Sequence, residues 1–243
     1  HHSSAASDVY KRQEYIDEIG KKLDKKVKIQ DFKSLSIKSS EDPEEEIDNI
    51  IHELEKLNNN SWNLIKNFSL KEIVESIEDD LKAFNVNFDN WFYESSLGSI
   101  DEVSSDIALS VNKLKKDGHA YEKDKAIWLN TDISGDDKHR VLVRDNGKAT
   151  YFASDVAYHK NKIDRGFDKL INVWGADHHG YIKRIEASIE NLGSNKNKLA
   201  VKLVQFANLF KDGKKVKMST RSGEFFTLKN LIEDIGSDAA RFY

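Results

Sequence analysis

The sequence predicts an α/β protein, with a parallel sheet in its second half and a mainly helical region before it. Three observations lead there. Apolar residues recur at helical spacing from Glu14 to about Leu97. Short β-prone runs take over around Val141 and Phe152, and a strand–helix–strand order follows between Leu170 and Phe210.

In chain order, Tyr15, Ile16, Ile19 and Leu23 fall at helical spacing. Asp42-Pro43-Glu44-Glu45 is a helix start: a capping residue, proline at the first helical position, and acids where the helix dipole favours them. Ile47, Ile50, Ile51, Leu54 and Leu57 then form an apolar stripe. Ser69-Leu70-Lys71-Glu72 has capping-box spacing and opens a helix with Ile73, Val74, Ile77, Leu81 and Phe84 inward. These stripes are core packing, and the charges between them are solvated faces.

After a mixed stretch, Val141, Val143 and Arg144 lead into Asp145-Asn146-Gly147 and on to Lys148–Phe152. An Asn-Gly pair between such runs predicts a hairpin, which hands over to a helix beginning near Ser154. Leu170–Trp174 is a short buried strand that breaks at Gly175. A helix follows with Ile182, Ile185, Ile189 and Leu192 inward, closed by Gly193. Val201 to Phe210 is the next strand, and Asp212-Gly213 turns the chain into Lys215–Met218. Strand, helix and strand at this spacing imply a parallel sheet.

Composition narrows the function classes. The 243 residues, 38% hydrophobic and 33% charged, describe a highly charged soluble protein with one sizeable core or two small ones. No apolar run approaches the roughly 18 residues of a membrane helix, so no membrane partner is expected. A net charge of -4 does not by itself announce a nucleic-acid binder. Zero cysteines exclude disulfides and thiolate metal sites, which suits a cytoplasmic location. Residues 1–13 lack periodicity and resemble a translated sequencing adapter, a non-native lead. With Met218 the only methionine and Arg241-Phe242-Tyr243 inside a helical pattern, the sequence is expected to be a piece of a longer protein.

Three segments could hold chemistry. In Val173–Tyr181 a strand ends at Gly175 and reopens as a helix, which puts Asp177, His178 and His179 at the carboxyl edge of the sheet, where α/β folds bind ligands. Asp177 could cap that helix, whose donor-rich start suits phosphates. A metal is not expected: neighbouring residues on a helix project in different directions, and no third ligand is obvious. In Tyr151–Asp155 an acid lies at a helix start; it either complements the dipole or accepts a guanidinium through two parallel hydrogen bonds. In Lys211–Gly223 the basic residues Lys211, Lys214, Lys215, Lys217 and Arg221 face one acid, Asp212. That loop is either a solvated basic turn, with Met218 an apolar plug, or a mobile polyphosphate clamp.

Lys217-Met218-Ser219-Thr220-Arg221 resembles the KMSK signature loop of class I aminoacyl-tRNA synthetases. The longer runs KMSTRSGEFFTL and IGSDAARF, with FNVNFDNWFYESSL, GDDKHRVLVR, YFASDVAYH and RGFDKLINVWGADHHGY upstream, are similar to arginyl-tRNA synthetases over roughly Glu14 to Tyr243. The resemblance implies the C-terminal half of a class I Rossmann-type catalytic domain, preceded by a mainly helical insertion. Residues 14–135 would be that insertion, 136–236 the catalytic half and 237–243 the start of a helical anticodon-binding domain.

What the family does is then expected here. Tyr151 and Asp155 match the pair that holds the arginine guanidinium, and His178 a pocket position beside it. Gly175, Asp177 and His179 match ATP-site positions, as do Lys217, Met218, Ser219 and Arg221; Lys217, Ser219 and Arg221 would be catalytic on the phosphates. The reaction implied is arginine–tRNA ligation: arginine and Mg-ATP give arginyl-adenylate, which is transferred to tRNA(Arg), with no tightly bound cofactor and a monomer at full length. Two departures stand out. Thr220 replaces the second signature lysine, and no HIGH-type motif occurs, so the isolated chain is expected to be inactive. The alternatives are another class I synthetase or a non-catalytic RNA-binding remnant.

Overall fold

The structure, a computed structural model, describes residues 16–26, 36, 38–40, 43–57, 60–136, 138–205, 208, 210–211, 213–215 and 226–242. The chain forms two compact units: His1–Asp89 with Leu209–Tyr243, and Asn90–Asn208.

The first unit is built on helices α1 (16–26), α2 (Pro43–Leu57), α3 (Ser61–Ala83), α7 (Leu228–Ile235) and α8 (Ser237–Phe242). Helical periodicity holds where it matters for burial: Ile19, Leu23 and Leu54 are buried. Ile47 and Ile77, both expected inward, are exposed instead. Ser69 does not open a helix. No glycine or proline interrupts Ser61–Ala83, so the backbone ladder runs through it and the capping-box spacing goes unused. A real capping box starts α7, where Thr227 Oγ1 accepts from Asn230 N at 3.0 Å and Asn230 Oδ1 accepts from Thr227 N at 3.2 Å. At the end of α3 the Arg241 guanidinium of α8 donates to Phe84 O at 2.7 Å and Asn85 O at 3.2 Å. A short hairpin, β6 (Phe210–Lys211) with β7 (Lys214–Lys215), turns at Gly213 as expected.

The second unit contains α4 (Asp106–Lys116), α5 (Tyr151–Asp164), α6 (Ile182–Asn191) and two sheets. One sheet is antiparallel, β1 (Ala120–Lys123), β2 (Ala126–Leu129) and β3 (Arg140–Val143) in that order. The other is the predicted parallel pair, β4 (Leu170–Gly175) and β5 (Leu199–Val204), in register from Leu170↔Leu199 to Gly175↔Val204. Helix α5 is central, packing on α4, α6, β3 and the 3₁₀ turn Glu94–Leu97. Leu114, Leu129, Leu142, Ile185 and Ile189 are fully buried, each contributing about 1.5 to 3 kcal/mol through removal from water. Gly98 ends the 3₁₀ turn at φ 73°; a Cβ there would lie 2.6 Å from Ser105 Cβ, so only glycine lets the turn dock on the start of α4.

Four further expectations need correction. The Asn146-Gly147 turn forms, with Arg144 N donating to Lys148 O at 2.9 Å, but its returning arm is a single bridge, Val143↔Ala149. Helix α5 starts at Tyr151, not near Ser154, because Thr150 accepts from Ala153 N and caps it. β4 is not buried on both faces: Ile171 is 59% and Val173 66% exposed. Val201 to Phe210 is not one strand, since β5 ends at Val204 and Phe210 pairs in a different sheet. The hairpin β1–β2 carries no turn signal in the sequence, because its two-residue turn is Asp124-Lys125 rather than Asn-Gly, although both residues take the positive φ (52° and 60°) that such a turn demands.

Candidate functional site

Starting α5 at Tyr151 puts Tyr151 and Asp155 one turn apart on a single helix face. Both line a cavity of about 350 Å³ with Phe92, Glu94, Leu97, Ser154 and Tyr158. Phe92 and Tyr158 stack at 4.3 Å to form an aromatic wall. Tyr151 is 82% exposed, so its ring is free to close over a ligand rather than committed to the core.

Asp155 is the electrostatic centre. Its Oδ2 accepts from Tyr181 Oη at 2.6 Å. Burial raises its carboxyl above the ordinary aspartate value; the Tyr181 hydrogen bond opposes this, Glu94 adds to it, and Lys162 and His178 oppose it. Burial first, and then Asp155 itself, push the Tyr181 phenol well above its ordinary range, so Tyr181 acts only as a donor. The Tyr181 ring is fixed edge-on by Trp174 at 5.9 Å and Phe152 at 6.0 Å. The arrangement offers a desolvated carboxylate with one oxygen oriented and a second acid nearby, which suits a planar cation.

Behind Asp155 runs a buried polar chain. His159 is buried and neutral, its value pushed down to about 4 chiefly by burial. A carbonyl can only accept, so Nδ1 carries the proton donated to Asp155 O at 2.7 Å. Nε2 then accepts from Asn172 Nδ2 at 2.8 Å, and Lys162 Nζ donates to Asn172 Oδ1 at 3.0 Å. The chain ties α5 to β4.

The Gly175 segment behaves differently from expectation. Ala176–Tyr181 is a 3₁₀ turn, and α6 begins only at Ile182 without a side-chain cap, so Asp177 does not cap it. A Cβ on Gly175 would lie 2.6 Å from Asp177 Oδ1, so the glycine is what lets Asp177 fold back on the strand end. Asp177, His178 and His179 are exposed and do not line the cavity; His178 Nε2 sits 3.7 Å from Asp177 Oδ2. Among the described residues no group of three or more His, Asp or Glu side chains could hold a metal. Lys217, Met218, Ser219 and Arg221 lie outside the described residues. Glu94 and Tyr181 joined the site only through folding. Tyr181 reaches Asp155 from 26 residues away, a separation that leaves no local signal.

A parallel strand pair linked by a helix, with an oriented carboxylate near the carboxyl end of β4, is an α/β arrangement of the kind that binds ligands at that edge. Comparison with known proteins sharpens this. Residues 13–241 match the family of class I tRNA synthetases (R), catalytic domain. An arginine–tRNA ligase of Syntrophotalea carbinolica is 54% identical over 177 residues, covering 73% of this chain and 31% of the relative. One from Vesicomyosocius okutanii is 45% identical over 239 residues, covering 95% of this chain and 41% of the relative. A solved Campylobacter jejuni structure, provisionally described as an arginyl-tRNA synthetase, superimposes with TM-score 0.66 at 34% identity over 84% of this chain and 46% of that one. This chain belongs to the arginyl-tRNA synthetase family of class I synthetases and has the α/β fold of their catalytic domain. It spans about a third of the length of the curated relatives it matches.

Proposed function

We propose that the protein to which this chain belongs is an arginine–tRNA ligase and that the α5 cavity is its arginine pocket. The observation that supports this most is Asp155: half-buried, oriented by Tyr181, and placed with Glu94 and Tyr151 around one cavity. Asp155 takes the guanidinium as a bidentate partner, Tyr151 closes over it, and Glu94 supplies the second negative charge. His178, on the turn that leads to Tyr181 and outside the cavity lining, acts on Asp155 only through its electrostatic influence. Lysine or ornithine would leave the paired acceptor geometry partly unfilled, which a desolvated site penalises.

In this reading an arginine carboxylate oxygen attacks the α-phosphorus of Mg-ATP and the bond to pyrophosphate breaks. A terminal adenosine hydroxyl of tRNA(Arg) then attacks the acyl carbon and releases AMP. Gly175, Asp177 and His179 border the nucleotide at the strand end, while Lys217, Met218, Ser219 and Arg221 engage its phosphates, with Arg221 standing in for the lysine that Thr220 replaces. The protein works as a cytoplasmic monomer. No side-chain nucleophile is required; positioning and charge stabilisation lower the barrier.

The test is arginine-dependent ATP–pyrophosphate exchange by the complete protein with tRNA present. Asp155→Ala is expected to abolish exchange with arginine. Unchanged exchange in the variant, or exchange driven by another amino acid, would overturn the assignment.

A further inference from the structure

The outer face of the β1–β2–β3 sheet carries a second concavity, of about 500 Å³, that shares no lining residue with the α5 cavity. Its floor follows from strand register. Tyr121 pairs with Trp128 and Trp128 with Val141, so all three side chains stand on one face. Ala120, Ala126, Leu129 and Leu142 are buried in the core. Tyr121 is 38% exposed. It is held by His139, whose Nδ1 lies 2.6 Å from Tyr121 Oη and whose ring meets it edge-on at 5.4 Å. The Trp128 indole N–H is engaged with Lys123 O at 3.3 Å, which leaves the ring faces for a ligand.

Cations flank these rings. Arg140 is answered by Asp136 through two hydrogen bonds of 2.7 and 2.8 Å, and Asp132 by His139 at 3.2 Å. Glu122 engages Lys115 of α4 at 3.6 Å. Lys123 and Lys138, both exposed and both lining the concavity, form no ion pair among the described residues. Stacking surfaces between lysines that form no ion pair among the described residues match a ligand that alternates planar bases with anionic phosphates. An acidic polypeptide would answer the lysines but leave the rings unused.

We propose that this face binds a stretch of unpaired RNA, with bases on Tyr121 and Trp128 and phosphates at Lys123 and Lys138. The choice of RNA rests on the tRNA-charging reading above. The test is fluorescence anisotropy of a fluorescein-labelled single-stranded oligoadenylate titrated with the chain across a salt series. Reversing Lys123 and Lys138 together to Glu is expected to weaken binding at least tenfold, as about two phosphate contacts are lost, and to flatten the salt slope by about 1.4. Tyr121→Leu is expected to cost about tenfold, whereas Tyr121→Phe keeps the ring and the affinity. Circular dichroism confirms that each variant is folded. Failure of the arginine pocket is read in arginine-dependent exchange and failure of this face in anisotropy. No binding, unchanged affinity in the charge-reversed and Tyr121→Leu variants, equal affinity for a duplex, or displacement by polyglutamate as readily as by RNA would each overturn the proposal. The last result would point to an acidic protein partner.

Discussion

Asp155 is subject to opposing influences that together set its usefulness. Burial holds its carboxyl above the ordinary value and Glu94 reinforces the shift, while the Tyr181 hydrogen bond pulls it back. A desolvated carboxylate that is reluctant to ionise alone gains most from a cation that enters the cavity with it. Since only the ionised form pairs with a guanidinium, arginine use should rise with pH through the raised Asp155 value. Glu94→Gln removes a like charge, so the acid limb of arginine-dependent exchange should move to lower pH. The same change should raise the arginine KM, because one negative group at the cavity is gone. The pH profile of kcat/KM in the complete protein measures both effects, and an unmoved acid limb would mean Glu94 does not act on Asp155.

Between elements, the main polar tie near the cavity is the chain from Lys162 through Asn172 and His159 to the Asp155 carbonyl. It fastens α5 to β4 and so fixes the turn of helix that presents Asp155. The tie works only while His159 is neutral, because Nε2 must accept. In the folded state His159 stays neutral down to about 4, whereas an unfolded histidine takes its proton near 6.5. Between those values the unfolded chain binds the extra proton, so this stability is complete above about pH 6.5 and is lost as pH falls towards 4. The loss is on the order of 3 kcal/mol. Thermal unfolding followed from pH 7 to 4 should show it, and His159→Gln, which cannot titrate, should flatten the dependence relative to the parent. Asp155 acts with the opposite sign, since its raised carboxyl makes ionisation cost stability as pH climbs, and comparison of variant with parent cancels that contribution.

At the scale of the whole molecule, the parallel sheet is two strands wide among the described residues, and four aliphatic residues on it, Ile171, Val173, Leu203 and Val204, are exposed. Exposed aliphatic strands promote association between copies. The 243-residue chain is therefore expected to self-associate at concentrations where Ile171→Lys combined with Val173→Lys stays dispersed. Both positions point away from the core, so the substitutions should leave the unfolding midpoint nearly unchanged. Light scattering against concentration makes the comparison; equal scattering from parent and variant would remove these residues as the cause.

How much of this could be read beforehand differs by element. The amino-acid pattern alone carries what depends on local spacing: the buried positions Ile19, Leu23, Leu54, Ile185 and Ile189, the turns at Gly147 and Gly213, and the β4–α6–β5 order. It also determined the family, because motif residues in order need no coordinates to be recognised. Local signals failed where tertiary context chose among equivalent options. Ser69 had the chemistry of a cap, yet an uninterrupted helix ran past it. Asp124 and Lys125 formed a tight turn without the residues that usually reveal one. At the site, only the family resemblance paired Tyr151 with Asp155, and nothing in the sequence pointed to Glu94, Tyr181 or the His159–Asn172 chain as their partners. Those partners come from elements distant in sequence, and only packing of α5 against its neighbours brings a phenol within 2.6 Å of the carboxylate. Sequence periodicity reports which face of an element is apolar. Which polar groups meet across those faces is settled by the geometry of packing, and that is where the electrostatics of the site are decided.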